Sequence, residues 1–342
     1  MIIKNIQEFK NEKKDSKMNK FNLGIILKGL NFHQLKKIIF LLIFVNQIFL
    51  AQEKMISITI DDVPNTSEYL YNNFTPILLN ILDSLEIPFA IFINESKILQ
   101  TDSIERNKAL LNLWIENESS TIGNHTYGHL RYSNVGLDSF LTDVEMGERF
   151  TIRFANRAGK PVKYFRFPYN DLGKDSIQHF QGKSYLNSKG YTIAPFTIES
   201  SDWMFNHVYE HYLKTGQIEK AKNIGEMYKE KTMQIVEFFE KMSLAKYGRN
   251  VKHIYLCHDN KLNADYLTEI ISELREKDYQ IISLDEALTD PIYAQENRYY
   301  KKWGISWMYR WIEKNEERLK WMRQEISLNE IQELYETFSK VK

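Results

Sequence analysis

The sequence predicts an α/β fold: a distorted (β/α)7–8 barrel with a helical insertion and a helical C-terminal extension. Three observations lead there. From residue 52 onward, short apolar runs alternate with longer stretches of helical periodicity. Seven such runs occur, and their mostly apolar character favours a closed or nearly closed parallel barrel over a doubly wound sheet. Two long segments, 206–248 and 291–342, fall outside this rhythm.

In order along the chain, "MISITI" (55–60) precedes the helix-like "TPILLNILDSL". "PFAIFI" (88–93) precedes "NKALLNLWIENE", and "STIG" (120–123) leads through a histidine-containing turn into "LDSFLTDVEMGERFTIRFAN". "VKYFRF" (162–167), "YTIAPFTI" (191–198), "VKHIYL" (251–256) and "YQIISL" (279–284) are the later strands, separated by helical segments. The barrel is expected over 52–290. Residues 206–248 exceed what one crossover helix needs and read as an insertion. After the last βα unit, Trp303, Trp307 and Trp311 recur at i, i+4 and i+8, which predicts one aromatic stripe on a helix that packs against the parent domain.

Composition is that of an ordinary globular protein, with 43% hydrophobic and 26% charged residues in a chain of 342. The 45 basic and 45 acidic residues balance, but residues 1–51 hold nine Lys against three acidic residues, leaving 36 against 42 in the remainder. That acidic balance excludes a nucleic-acid partner, which calls for a basic excess. Lys36 and Lys37 precede a short apolar core (38–45) and Ala51. The core is shorter than the roughly 20 apolar residues of a membrane span, so residues 1–51 read as a leader with a signal peptide cleaved near Ala51. The expected location is periplasmic or secreted; the alternative is an uncleaved signal that anchors the chain in a membrane. Met18 is a candidate initiator. The only cysteine, Cys257, excludes an intramolecular disulfide framework.

In "TIGNHTYGHL" (121–130), His125 and His129 are four apart, and on one helical turn both could reach one cation. A metal site needs a third ligand, and in βα barrels reactive groups gather at the C-terminal ends of strands. There the first strand offers Asp61 and Asp62. Strand alternation sends their carboxylates to different sides, so one could bind metal while the other stays free as a base. The other rims offer Arg166 and Tyr169 in "FRFPYND", Asp202 and Trp203 after "YTIAPFTIESS", and His258 in "YLCHDN". Each residue also has a structural reading: Arg166 as a surface ion-pair residue, His258 as a buried imidazole, Asp202 as a helix N-cap. Their joint occurrence at successive strand ends points to chemistry.

Taken in order, these motifs resemble the polysaccharide deacetylases of carbohydrate esterase family four, the NodB-homology domain. "TIDDVP" resembles the family's T-F-D-D-G-P, "NHTYGH" its H-[ST]-x-x-H, and "RFPY" its R-x-P-Y; "SDW" and "LCH" resemble its D-W and L-x-H. The resemblance covers about residues 55–290. It implies that Asp62, His125 and His129 bind a divalent metal, commonly zinc, with cobalt as a substitute. It further implies that Asp61 is the catalytic base oriented by Arg166, and that His258 is the acid oriented by Asp202. The resemblance also implies that the amide of Tyr169 faces the oxyanion and that Trp203 lies beside the substrate. The implied activity is hydrolysis of acetyl groups on a polysaccharide such as a chitin-type oligomer, peptidoglycan or acetylxylan. Val63 and Asn170 stand where the family usually has glycine, and the segment after Trp203 is enlarged, departures that alter the loops shaping the cleft.

Two other functions fit parts of the sequence. "HVYEH" matches the H-x-x-E-H pattern of inverzincin metallopeptidases, with His207 and His211 as ligands and Glu210 as base. A barrel that binds glycans without turnover is the other.

Overall fold

The computed structural model describes residues 53–100 and 103–340; the leader expected over 1–51 lies outside the described residues. Eight strands form the sheet: β1 (Lys54–Val63), β2 (Phe89–Ile93), β3 (Ser120–Asn124), β4 (Val162–Phe165), β5 (Thr192–Ile193), β6 (Ile198–Glu199), β7 (Lys252–His258) and β8 (Tyr279–Ile281). The order is β5-β4-β3-β2-β1-β7-β6, with β8 joined to β1, and the pairings are parallel.

The run expected as one strand over 191–198 is two. Pro195 has no amide hydrogen for a ladder, and the halves lie at opposite ends of the sheet, β5 on β4 and β6 on β7. The residues between them bridge those ends. Ala194 N–H donates to the Phe165 carbonyl at 2.8 Å, and Thr197 N–H to the Ile254 carbonyl at 2.9 Å. The curled sheet thereby becomes a distorted barrel whose seam is a four-residue connector.

Side-chain alternation sorts each strand into an outer and a lumenal face. Ile56, Ile58, Ile60, Phe89, Ile91 and Ile93 point outward into the main core under the helices. Ala90, Phe92, Tyr164, Ile254 and Leu256 fill the lumen. Each fully buried Ile or Phe contributes about 1.5–3 kcal/mol, so shifting a strand by one residue is strongly disfavoured. Register therefore decides what emerges at the rim. Thr59, Asp61, Arg166 and His258 continue the lumenal series, and β1–β7 pairing sets Asp61 directly beside His258.

The helical insertion is a hairpin of Asp202–Lys214 and the 30-residue Ile218–Tyr247. It begins at Asp202 rather than at 206, so it springs directly from the rim. The C-terminal extension is less helical than its periodicity suggests. Among the described residues, helix there is confined to a 3-10 turn at Pro291–Ala294 and to Trp307–Arg310, Asn315–Met322 and Asn329–Ser339, and residues 295–306 run as an irregular strap. Trp307 and Trp311 pack together, ring centroids 6.1 Å apart, and Trp311 is buried. Trp303 lies on the strap, so the expected three-tryptophan stripe is a pair. Among the described residues, no helix is long and apolar enough to cross a membrane.

Candidate active site

Two carboxylates reach the cleft by different routes. Asp61 follows the lumenal alternation of β1 and is buried. Asp62 departs from it: the β1–β2 register shifts between Ile60 and Val63, and Asp62 has φ 63°, a conformation few residues other than glycine adopt. The expectation that alternation alone sends the pair to different sides therefore does not hold. Both carboxylates approach one imidazole, with Asp61 Oδ2 3.7 Å and Asp62 Oδ1 3.8 Å from His125 Nε2.

His125 and His129 lie on a loop after β3, not on a helical turn. Thr126 and His129 both have positive φ, and buried Asp143, on the helix Tyr132–Met146, holds the loop in place. Its carboxylate accepts from the amides of Gly128 (2.7 Å) and Leu130 (3.3 Å). The Asn124 side chain accepts from the Thr126 amide at 2.7 Å. This scaffold brings His129 Nε2 to 3.5 Å from Asp62 Oδ1.

Asp62, His125 and His129 form a set whose ligand atoms lie within 4.8 Å of one another. The set suits a divalent cation on three grounds. Asp62 Oδ1 is buried without a hydrogen-bond partner. His125 Nδ1 lies 2.7 Å from the Arg166 carbonyl, which only accepts, so Nδ1 is the donor there and Nε2 is the atom turned toward the set. Tetrahedral ligands at zinc distances sit about 3.3 Å apart, a little closer than the 3.5 and 3.8 Å between Asp62 Oδ1 and the two imidazole nitrogens. The electrostatics agree. Burial opposes the Asp62 charge, but Lys97, His129, His125 and His258 outweigh it and hold the carboxyl well below its usual range. Burial drives His129 down to about 4 despite the pull of Asp62, so it is neutral at pH 7.

Arg166 is buried at the end of β4, not on the surface. Its guanidinium donates to Asp61 Oδ1 and Thr59 Oγ1, both at 2.7 Å, and to the Pro195 carbonyl at 3.3 Å, and stacks over Phe92 at 4.0 Å. A planar fork with several fixed acceptors holds Asp61 in one orientation.

Across the cleft, Asp202 begins the insertion helix and is fully buried. One oxygen lies 2.7 Å from His258 Nδ1. The other accepts from His258 N–H (2.9 Å), Asn260 Nδ2 (2.8 Å) and Asn263 Nδ2 (2.6 Å). Burial disfavours the His258 cation, but Asp202, then Asp62 and Asp61, raise the imidazole to about 10. His258 is therefore cationic at neutral pH, with Nε2 left to face a substrate. A dication beside Asp62 would withdraw part of that support.

These groups line one cleft of about 820 Å³. The sequence-predicted residues that reach it are Asp61, Asp62, His125, His129, Tyr169, Trp203 and His258, while Arg166 and Asp202 lie just behind. Tyr169 has φ 57°, and its ring lies 4.5 Å from that of His129. Sequence reasoning missed Glu199, Lys97 and Arg131, which also line the cleft. Burial, then the Asp202 charge, push the Glu199 carboxyl up to about 7. Its signal was available, since Glu199 follows Ile198 in a strand that turns alternate residues inward.

The second histidine pair is occupied with packing. The His207 ring meets Tyr335 at 5.0 Å, His211 stacks on Phe338 at 3.9 Å, and Glu210 accepts from Asn206 at 2.8 Å. Among the described residues, the Asp62, His125, His129 group is the metal-capable cluster, so the peptidase reading is not favoured.

No curated protein matches the chain. Among solved structures, it is similar to the CE4 family pseudoenzyme BA3943 from Bacillus anthracis (16% identity, TM-score 0.46, covering 69% of this chain and 66% of that one). It is also similar to the peptidoglycan deacetylase PdaC from Bacillus subtilis (18%, 0.43, 69% and 92%) and the polysaccharide deacetylase Bc1974 from Bacillus cereus (19%, 0.44, 67% and 91%). The polysaccharide deacetylase family model matches residues 51–188, a span that holds Asp61, Asp62, His125, His129, Arg166 and Tyr169 and ends before Asp202 and His258. Through that segment the chain is similar to the polysaccharide deacetylase family.

Proposed function

We propose that the protein is a metal-dependent deacetylase that hydrolyses N-acetyl or O-acetyl groups of a polysaccharide such as a chitin-type oligomer, peptidoglycan or acetylxylan. The observation that carries the reading is the pairing of two oriented acid–base groups, Asp61 on Arg166 and His258 on Asp202, around one Asp–His–His set in a single cleft. Held by Asp62, His125 and His129, a zinc or cobalt dication would supply Lewis acidity toward the acetyl carbonyl and the attacking water.

The protein's own groups supply the rest. Asp61, aimed by Arg166, takes the proton of the water. The Tyr169 amide donates to the oxygen on which negative charge develops. His258, cationic through its contact with Asp202, delivers a proton from Nε2 to the departing nitrogen or oxygen, without which an amine is a poor leaving group. Trp203 offers an apolar surface beside the acid. A glycan-binding barrel without turnover would not require both oriented pairs, and their retention favours the enzyme. Acetate release from acetylated chito-oligosaccharides, peptidoglycan and acetylxylan tests this. We expect release from at least one, abolished by chelation and restored by zinc or cobalt; no release from any with either metal present overturns the proposal.

A further inference from the structure

We propose that Trp303, carried by the C-terminal strap, forms a sugar-stacking subsite at the cleft, taking a pyranose unit that neighbours the acetylated one; the inference rests on the deacetylase reading for the identity of the glycan.

Of the three tryptophans spaced four apart, Trp307 and Trp311 are drawn into packing, whereas Trp303 is 58% exposed and lines the cleft. With half-exposed Tyr169 and Trp203 it gives the cleft an aromatic lining beside convergent polar groups, the composition of a ligand site. A pyranose suits the position, because its axial C–H face covers an aromatic ring while its equatorial hydroxyls stay hydrated. The Lys302 ammonium, 5.0 Å from the Trp303 ring centroid, sits on a flexible stem and can yield to such a ligand.

The position of Trp303 is built in. Gly304 runs so close to the Tyr169 turn that a Cβ there would lie 2.0 Å from the Tyr169 carbonyl oxygen. Fully buried Arg310 donates to the Asn170 carbonyl (2.9 Å) and the Trp303 carbonyl (3.0 Å), joining turn and strap. Asn170 Nδ2 returns a bond to the Ile305 carbonyl at 3.1 Å. The residue standing where the family usually has glycine thus ties the extension to the catalytic turn. A platform latched in this way loses little conformational freedom on binding. The acid-side wall is reinforced likewise, since Tyr335 of the last helix meets Trp203 edge-on at 5.2 Å.

The test is calorimetric titration of wild type, Trp303→Ala and Trp303→Phe with the N-acetylglucosamine tetramer, with partially acetylated xylotetraose, and with single N-acetylglucosamine as control. For whichever tetramer binds, Trp303→Ala should raise Kd about tenfold, the scale for truncating an aromatic anchor. Trp303→Phe should recover most of the affinity, and the monosaccharide should bind both proteins equally. In turnover the loss should appear in KM. Equal tetramer affinity in wild type and Trp303→Ala, or no saturable binding of either tetramer to wild type, overturns the subsite. Trp303-dependent binding without acetate release from any substrate keeps the subsite and sinks the deacetylase reading. Acetate release with an unchanged KM in Trp303→Ala does the reverse.

Discussion

Replacing Asp202 with asparagine keeps the shape of the side chain and removes its charge, and the structure dictates how the amide must sit. Three donors converge on one oxygen of Asp202, from the His258 backbone, Asn260 and Asn263, and only the carbonyl end of an amide can receive them. The NH2 end then faces His258 Nδ1, which must turn from donor to acceptor. His258 loses the charge that raised it to about 10, and burial now dominates, so the imidazole is neutral at pH 7 and a far weaker acid. Turnover should fall on the order of a hundredfold or more, the scale for losing a positioned acid. Stability should fall by about 3 kcal/mol, the lower end for breaking a buried ion pair, because the variant keeps its hydrogen bonds. The sign of the pH dependence follows from the raised value. The contribution of cationic His258 is complete below the ordinary histidine range near 6.5 and is lost as pH rises through about 10. It also requires ionised Asp202, whose carboxyl is held below its usual range by His258 and the surrounding hydrogen bonds against the opposing effect of burial. Urea unfolding of both proteins at pH 6, 8 and 10 should therefore show a gap that is widest at pH 6 and closes toward pH 10. The alkaline limb of the wild-type kcat/KM profile should be displaced to lower pH or lost in the variant. Identical alkaline limbs together with a stability gap independent of pH would refute the assignment of His258 as an acid charged by Asp202.

Further outcomes separate the remaining roles. Asp62→Asn should bind zinc more weakly and recover partial activity with excess zinc or cobalt, whereas Asp61→Asn should keep its metal, by elemental analysis, and stay slow; a metal-free Asp61 variant that recovers on metal addition would reverse the two assignments. Gly304→Ala should force the strap from the Tyr169 turn, costing about 1–3 kcal/mol as overpacking does and lowering kcat at full metal occupancy; unchanged kcat would show that strap and turn are not coupled. Mass analysis of the exported protein should give an N-terminus near Gln52, and an intact leader on a cytoplasmic protein would exclude export.

Much of the barrel was legible because parallel strands and crossover helices leave different periodicities, and because inward alternation in β1, β4 and β7 carries Asp61, Arg166 and His258 to one end. The legible part stops where contacts between distant segments decide. Nothing local to 191–198 says that its halves belong to opposite edges of the sheet; Pro195 marks a break but not a destination. The i, i+4 spacing of His125 and His129 suggested a helix, yet the loop is shaped by Asp143, whose carboxylate reaches the Gly128 amide across fifteen residues of sequence. The tryptophan periodicity failed at Gly304, which must pass against the Tyr169 carbonyl, an approach that helical packing of that segment would not give.

The same distinction explains the two aspartates. A regular strand would turn one of them outward, among the helices, where an ionised carboxylate is costly without a partner. The shift in β1 and the positive φ of Asp62 prevent this, at about 1–3 kcal/mol of backbone strain, and bring both carboxylates to His125. Their division of labour then comes from their surroundings. Asp61 has a permanent guanidinium at 2.7 Å as its close partner. Asp62 has two imidazoles at 3.5 and 3.8 Å, Lys97 at 3.7 Å and His258, with one oxygen left without a hydrogen bond. Of two identical side chains one residue apart, Asp62, which lacks a permanent close partner, is therefore the proposed metal ligand, and Asp61, aimed by Arg166, is the proposed base.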